Sequence, residues 1–179
     1  MDISDPKVRA AVVCLASIGS MVLASKALST ARSVAKYFVW PRSNLAARYG
    51  EGSWALITGA SNGLGKAYSF ELAHAGFNII LMGRDRPKTE AVAMEIRTAT
   101  GVKTKVLIYD LATLETEDSI KELEKLLKTN VAELDVSILA NNAGVLHFGR
   151  LGDKDISDLQ TMINVNVNAQ TYISLLMLP

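Results

Sequence analysis

Trp54-Ala55-Leu56-Ile57-Thr58-Gly59-Ala60-Ser61-Asn62-Gly63-Leu64-Gly65 is the stretch that decides the fold. Ala55, Leu56 and Ile57 form a short apolar run without helical period, which suits a strand buried on both faces. Thr58 and Gly59 turn the chain. Gly63 and Gly65 then open a segment, Lys66 to Ala75, that is rich in helix formers and free of proline. Strand, glycine turn and helix, in that order, are the setting in which glycines carry chemistry. Glycine lets backbone N–H groups come close to a pyrophosphate. The helix start adds unpaired N–H donors and the positive end of its dipole. Gly59, Ser61, Asn62, Gly63, Leu64 and Gly65 are therefore the candidate phosphate-contacting positions. The plain alternative is a turn in which glycine only relieves backbone strain.

Outward from that stretch, strand and helix patterns alternate. Phe77 to Met82 reads as a second buried strand, closed by Gly83-Arg84-Asp85. Pro87 suits the first turn of a helix on which Val92, Ile96 and Ala99 share one face, with Gly101 as its C-cap. Val106 to Tyr109 is a third strand, followed by Asp110-Leu111. A helix from about Glu117 to Thr129 turns Ile120, Leu123, Leu126 and Leu127 inward. Val136 to Ala140 is the fourth strand. From Ser157 onward, Leu159, Ile163, Asn166, Gln170, Ile173 and Met177 fall at helical spacing. Repeated βα units predict an α/β fold with a parallel, doubly wound Rossmann-type sheet. Strand order 3-2-1-4 is the half of such a sheet that binds the adenosine side of a dinucleotide.

The 179 residues are enough for one domain with a real core, and the net charge is only +1. That balance hides an asymmetry. Residues 1–50 hold seven Lys or Arg against two Asp, and residues 51–179 hold twelve against sixteen Asp or Glu. An acidic globular part argues against nucleic-acid binding, and a short basic part flanking an apolar stretch points to a membrane surface. Cys14 is the single cysteine, which excludes an internal disulfide and a cysteine-rich metal site; it reads as a small apolar residue of the first helix. No metal is expected. His74 reads as a helix-surface residue and His147 as a loop residue at the cleft rim, neither of them catalytic.

Ala10 to Ser25 is sixteen residues without a charge, between Arg9 and Lys26. A membrane span needs about 20 apolar residues, and snorkelling by the flanking cations stretches a shorter run toward that length. Tyr37, Phe38 and Trp40 form the aromatic cluster of a membrane interface, and Pro41 ends the helix. Membrane anchor, cleaved targeting peptide and soluble docking helix compete here. Met1 to Asp5 carries two Asp and no Lys or Arg, which fits a targeting peptide poorly and favours the anchor. Lys26, Arg32, Lys36, Arg42 and Arg48 follow the apolar run, so the positive-inside rule puts the globular part on the cytosolic side. The expected division is an anchor over residues 1–40, a linker over 41–52, and a nucleotide-binding domain over 53–179.

Cofactor choice is written at the end of the second strand. An Asp or Glu there would bond the adenosine ribose 2′-OH and favour NAD. Gly83 and Arg84 stand there instead, and an arginine pairs bidentately with a 2′-phosphate, which favours NADP(H). The plain alternative is a solvated arginine in a charged turn with Arg86 and Lys88.

The spacing T-G-x-x-x-G-x-G at Thr58 to Gly65, and Asn141-Asn142-Ala143-Gly144 directly after the fourth strand, resemble the two cofactor motifs of the short-chain dehydrogenase/reductase superfamily. Further features resemble its membrane-anchored group, which contains the very-long-chain 3-oxoacyl-CoA reductases and 17β-hydroxysteroid dehydrogenase type 12. They are the N-terminal apolar segment, Tyr49-Gly50, Gly65-Lys66-Ala67-Tyr68 and Asn78-Ile79-Ile80-Leu81. The resemblance implies that Asp110 and Leu111 lie beside the adenine, that Asn142, Ala143 and Gly144 run along the cofactor's ribose, and that Asn141 braces the sheet. It also implies that Asn166 is the catalytic asparagine that bends its helix and holds a water. Asn164 and Asn168 flank it, and the spacing to Leu178-Pro179 favours Asn166. The implied activity is NADPH-dependent reduction of a carbonyl on a hydrophobic small molecule, acyl-CoA or steroid-like, at the endoplasmic reticulum or a mitochondrial membrane, by a homodimer. The superfamily's serine and Tyr-x-x-x-Lys do the acid–base work, and no Tyr-x-x-x-Lys occurs in these 179 residues. Two expectations follow: an enzyme of which this is the front half, or a non-catalytic nucleotide-binding or scaffold subunit.

Overall fold

The computed structural model describes residues 6–39 and 44–178. The chain divides into two compact units, Met1–Ser43 and Asn44–Pro179.

The first unit is one long helix, α1 (Pro6–Val34), extended by a π-helical turn over Ala35–Val39. It is longer at both ends than the uncharged run Ala10 to Ser25, because Ala, Ser, Thr, Lys and Arg after Ser25 are compatible with helix and no proline or glycine interrupts them. Within Pro6–Phe38 an eighteen-residue window has a mean hydropathy of 1.9 and none of it is buried, so the helix is long and apolar enough to cross a membrane. Cys14 is exposed on it. Trp40, Pro41 and Arg42, and the acidic start Met1 to Asp5, lie outside the described residues.

The second unit opens with a five-residue helix, α2 (Leu45–Tyr49), so the expected linker is not wholly irregular. Asn44 caps it by accepting from Ala47 N. Then come β1 (Trp54–Thr58), α3 (Gly63–His74), β2 (Asn78–Gly83), α4 (Arg86–Thr100), β3 (Thr104–Ile108), α5 (Glu117–Val131) and β4 (Val136–Ala140). A final helical stretch runs as α6 (Ile156–Ile163), a π turn (Asn164–Asn168) and α7 (Ala169–Met177). The sheet is parallel in the expected order β3-β2-β1-β4. β4 matches its expected bounds; β2 and β3 are displaced by one or two residues, because ladder pairing rather than hydrophobicity sets where a strand ends.

Alternation along the central strands divides the core in two. Leu56, Ile80 and Met82 face one layer, with Leu123, Leu127, Val131, Ala169 and Ile173 from α5 and α7. Ala55, Ile57, Ile79 and Leu81 face the other, with Ala73 of α3 and Val92, Ala93 and Ile96 of α4. Leu56, Ile57, Ile79, Ile80, Leu81 and Met82 are fully buried, each worth roughly 1.5–3 kcal/mol of transfer free energy. Two expected inward positions are corrected. Ala99 is exposed, and the inward face of α4 is Thr89, Val92, Ala93 and Ile96. Ile163 is exposed as well, because the π turn after it advances the helix phase and gives the buried positions to Asn164 and Val165.

Candidate cofactor-binding site

The end of β1 is locked to the end of β4. Thr58 Oγ1 accepts from the backbone N–H groups of Asn142 and Ala143, at 3.0 and 2.9 Å. Asn142 Nδ2 donates to the carbonyls of Thr58 and Gly59, at 3.0 and 3.4 Å. The chain then turns at Gly59, whose φ is +65°, in the left-handed region where a side chain is strained. The first turn of α3 packs so closely on this corner that a Cβ on Gly65 would lie 2.3 Å from Gly59 O and 2.4 Å from Asn142 Nδ2. Glycine at 65 thus seats the helix start directly on the strand end. Asn62 caps α3, accepting from Gly63 N at 2.8 Å, while Gly63 and Leu64 stand exposed at the helix mouth.

Beside this corner a cleft of about 160 Å³ opens at the carboxyl ends of the strands, where open α/β sheets bind their ligands. Of the positions singled out from sequence it takes in Gly59, Ser61, Arg84, Asp110, Leu111, Ala143 and Gly144. Asn62, Gly63, Leu64 and Gly65 form the adjoining helix mouth rather than the cleft wall. The Asn142 side chain does not line the cleft. It braces β1, the work expected of Asn141. Asn141 instead donates to Ser174 Oγ on α7 at 2.9 Å, and its own Oδ1 is buried without a partner among the described residues.

At the far wall a Cβ on Gly83 would meet Thr89 Oγ1 at 2.7 Å. Thr89 is fully buried and donates to Asp85 O, so this spot is closed to a side chain. Arg84, next along, is exposed at the cleft wall. Asp85 caps α4 by accepting from Lys88 N at 3.0 Å. That backbone hydrogen bond, helped by the Lys88 ammonium, holds the carboxyl below its ordinary value.

Tyr109, Val145 and Val165 also line the cleft and were not singled out from sequence. Tyr109 is buried and donates its hydroxyl to Ser119 O at 2.7 Å; burial pushes its pKa up. Its place directly before Asp110 is the signal that could have found it. Asn166 does not line the cleft with its side chain. Its Oδ1 accepts from Val145 N at 2.9 Å and its Nδ2 donates to Val145 O at 2.7 Å, so it clamps a residue that does. Asn164 is fully buried and donates to Ala112 O at 2.8 Å, while its Oδ1 accepts from Gln160 and Asn168. His74 is exposed near the end of α3, and His147, which is not among the residues that line the cleft, lies 3.5 Å from Asp158.

A glycine corner that any Cβ would fill, a helix mouth beside it, and a neighbouring arginine suit a phosphorylated dinucleotide. The fold and this site define a nucleotide-binding α/β protein, and the short chain dehydrogenase family profile matches residues 53–179. The chain belongs to that family. Among its curated relatives is a very-long-chain 3-oxoacyl-CoA reductase of Aspergillus oryzae, 40% identical over 154 residues, a match covering 83% of this chain and 43% of the relative. The enzyme of that name from Ajellomyces capsulatus is 44% identical over 134 residues, covering 74% and 38%. The chain thus spans less than half the length of these relatives. Solved structures agree. A short-chain dehydrogenase from Sphingobium yanoikuyae in complex with NADPH superposes with a TM-score of 0.61 at 28% identity, covering 69% of this chain and 46% of that one. A 7β-hydroxysteroid dehydrogenase superposes with a TM-score of 0.63 at 32% identity, covering 74% and 49%.

Proposed function

We propose that the cleft binds NADP(H) and that the complete protein reduces a carbonyl on a lipid-type substrate, a 3-oxoacyl-CoA or a ketosteroid. The observation that carries the cofactor choice is the pair Gly83 and Arg84. Thr89 closes position 83 to the acidic side chain that would hold a free ribose 2′-OH, and Arg84 offers a guanidinium at the same wall. Gly59, Gly63 and Gly65, with the N–H groups of the first α3 turn, hold the pyrophosphate. Ser61, Asp110 and Leu111 enclose the adenosine end, and Ala143 and Gly144 the nicotinamide ribose. Bound NADPH would supply a hydride to the carbonyl carbon. Asn166 is a positioning residue in this scheme, holding Val145 and the floor beneath the reacting end.

The lipid-type substrate rests on the names of the curated relatives and on α1, whose hydropathy suits a membrane anchor. An endoplasmic reticulum location rests on the same relatives, and the basic residues after the apolar run favour the second unit on the cytosolic face. Titrating the protein with NADPH and NADH, by quenching of tryptophan fluorescence, tests the cofactor. Arg84→Ala removes a charge-assisted pair worth roughly 1.5–3 kcal/mol, so NADPH binding should weaken about tenfold or more while NADH is little changed. Equal losses for both cofactors would overturn the choice.

A further inference from the structure

The charged half of α1 has a face that the apolar run does not explain. At about 100° per residue, Ser25, Lys26, Ser29, Arg32, Ser33 and Lys36 fall within one arc of about 120°. Ala27, Ala31, Val34 and Ala35 take the opposite side. Ser25, Leu28, Ser29, Arg32, Ser33 and Lys36 together line a shallow groove along the helix. The serine hydroxyls shape that groove more than they donate into it. Ser25 gives its proton to Val22 O and Ser33 gives its proton to Ser29 O, as helical serines do. The outward donors are the guanidinium of Arg32 and the ammonium of Lys36, separated by one turn. No Asp or Glu occurs between Pro6 and Gly50 to neutralise them.

Depth argues for the occupant. With Ala10 to Ser25 in hydrocarbon, a rise of about 1.5 Å per residue puts Ser29 about 6 Å and Ser33 about 12 Å beyond the end of the apolar run. The run rises only about 24 Å against a hydrocarbon core of about 30 Å, so centring it leaves the core edge about 3 Å past Ser25. Ser29 then lies in a headgroup zone about 5–7 Å deep, Arg32 at its outer edge, and Lys36 one turn further reaches back toward the phosphates with its long side chain. We infer that this face binds the phosphates of an anionic phospholipid leaflet, with Arg32 and Lys36 as the donors and the small serines as the space that admits a headgroup. The inference deepens the anchor assignment and depends on it only for depth.

The test uses the whole chain reconstituted in phosphatidylcholine vesicles carrying a trace of spin-labelled phosphatidylserine or, in a second arm, spin-labelled phosphatidylcholine. Each basic side chain near an anionic lipid favours it about fivefold, so the serine lipid should be immobilised several-fold more than the choline lipid in 0.1 M salt. The preference should shrink in 1 M salt, where the screening length falls from about 10 to about 3 Å. Arg32→Gln with Lys36→Gln should abolish most of it, and Ser29→Leu with Ser33→Leu should reduce it by filling the groove while every charge stays. Lys125→Gln, in the second unit, should leave it unchanged. Equal immobilisation of both lipids, as a partner helix on this face would give, overturns the inference. So does a preference that survives the Arg32 and Lys36 changes. A chain stripped from the vesicles by alkaline carbonate, yet still selective for the anionic lipid, overturns the crossing helix and leaves the basic face standing.

Discussion

Gly65 shows how a single absent side chain holds the site together. A Cβ there would meet Gly59 O at 2.3 Å, Asn142 Nδ2 at 2.4 Å and the Gly59 carbonyl carbon at 2.9 Å, and two of these belong to backbone that cannot swing aside. Gly65→Ala should gain up to about 1 kcal/mol in helix propensity and lose more to overpacking, for a net loss of about 1–3 kcal/mol. Urea unfolding at an unchanged m-value would measure it, together with a loss of NADPH binding; a variant as stable as the parent would mean the corner is looser than drawn. At the other wall, the Lys88 backbone N–H holds the Asp85 carboxyl below its ordinary pKa. A depressed folded pKa contributes stability that is present above the unfolded carboxylate value and is lost as pH falls through the folded one. Asp85→Asn keeps an oxygen for the cap but never ionises. The parent should therefore be the more stable at neutral pH, with the gap closing in acid. A gap that persists at low pH would place the effect in packing rather than in charge.

Among the elements, the final helical stretch is the one whose geometry carries the site. Three asparagines two residues apart do three jobs in its π turn. Asn164 ties the helix to the loop after β3 through Ala112 O, Asn166 clamps Val145, and Asn168 supports Asn164 Oδ1. Asn164→Leu, near in volume, leaves buried partners unpaired and should cost about 2–4 kcal/mol, counting 1–3 kcal/mol for each orphaned group. Asn166→Ala should cost less stability but speed amide hydrogen exchange at Val145, whose N–H then lacks its partner. Unchanged exchange at Val145 would show that another group holds the loop. The four strands were legible in the sequence because each is an aliphatic run closed by turn residues. The glycine corner and the Gly83-Arg84 wall were legible because backbone conformation and charge restrict residue type there. The π turn was not legible from periodicity: a shift from i→i+4 to i→i+5 bonding is set by tertiary partners such as Ala112, and only the family resemblance, in which Asn166 bends its helix, pointed to an irregularity there. Nor could the sequence assign the work of Asn141 and Asn142. Neighbours at a strand end point to opposite faces, and only the packed structure shows that Asn142 turns to Thr58 and Asn141 to α7.

On the scale of the whole molecule, charge and hydropathy divide the chain within a few residues of where contacts do. Residues 1–50 are basic and apolar, and residues 51–179 hold sixteen acidic groups against twelve basic ones. The second unit keeps its apolar side chains in two layers around its own sheet, each built from β1 and β2 with their covering helices. α1 exposes Val13, Leu15, Ile18, Met21 and Leu23 and buries nothing. A soluble helix with such a surface would be a liability, since exposed apolar patches mark contact surfaces. A helix in lipid has its backbone bonds satisfied internally and its side chains solvated by hydrocarbon. The intact protein is therefore expected to stay in the membrane fraction through an alkaline carbonate wash, which strips proteins held by charge alone. Deleting residues 1–40 should release a soluble product, because the acidic second unit gains nothing from an anionic leaflet and its two apolar layers are built from its own sheet and helices. Circular dichroism of that product checks that it has kept its βα structure. Release of the intact chain by carbonate would make α1 a docking helix. Retention of the folded, truncated product would move the membrane contact onto the second unit, where the exposed Leu146, Phe148, Leu151 and Ile156 would be the first surface to substitute.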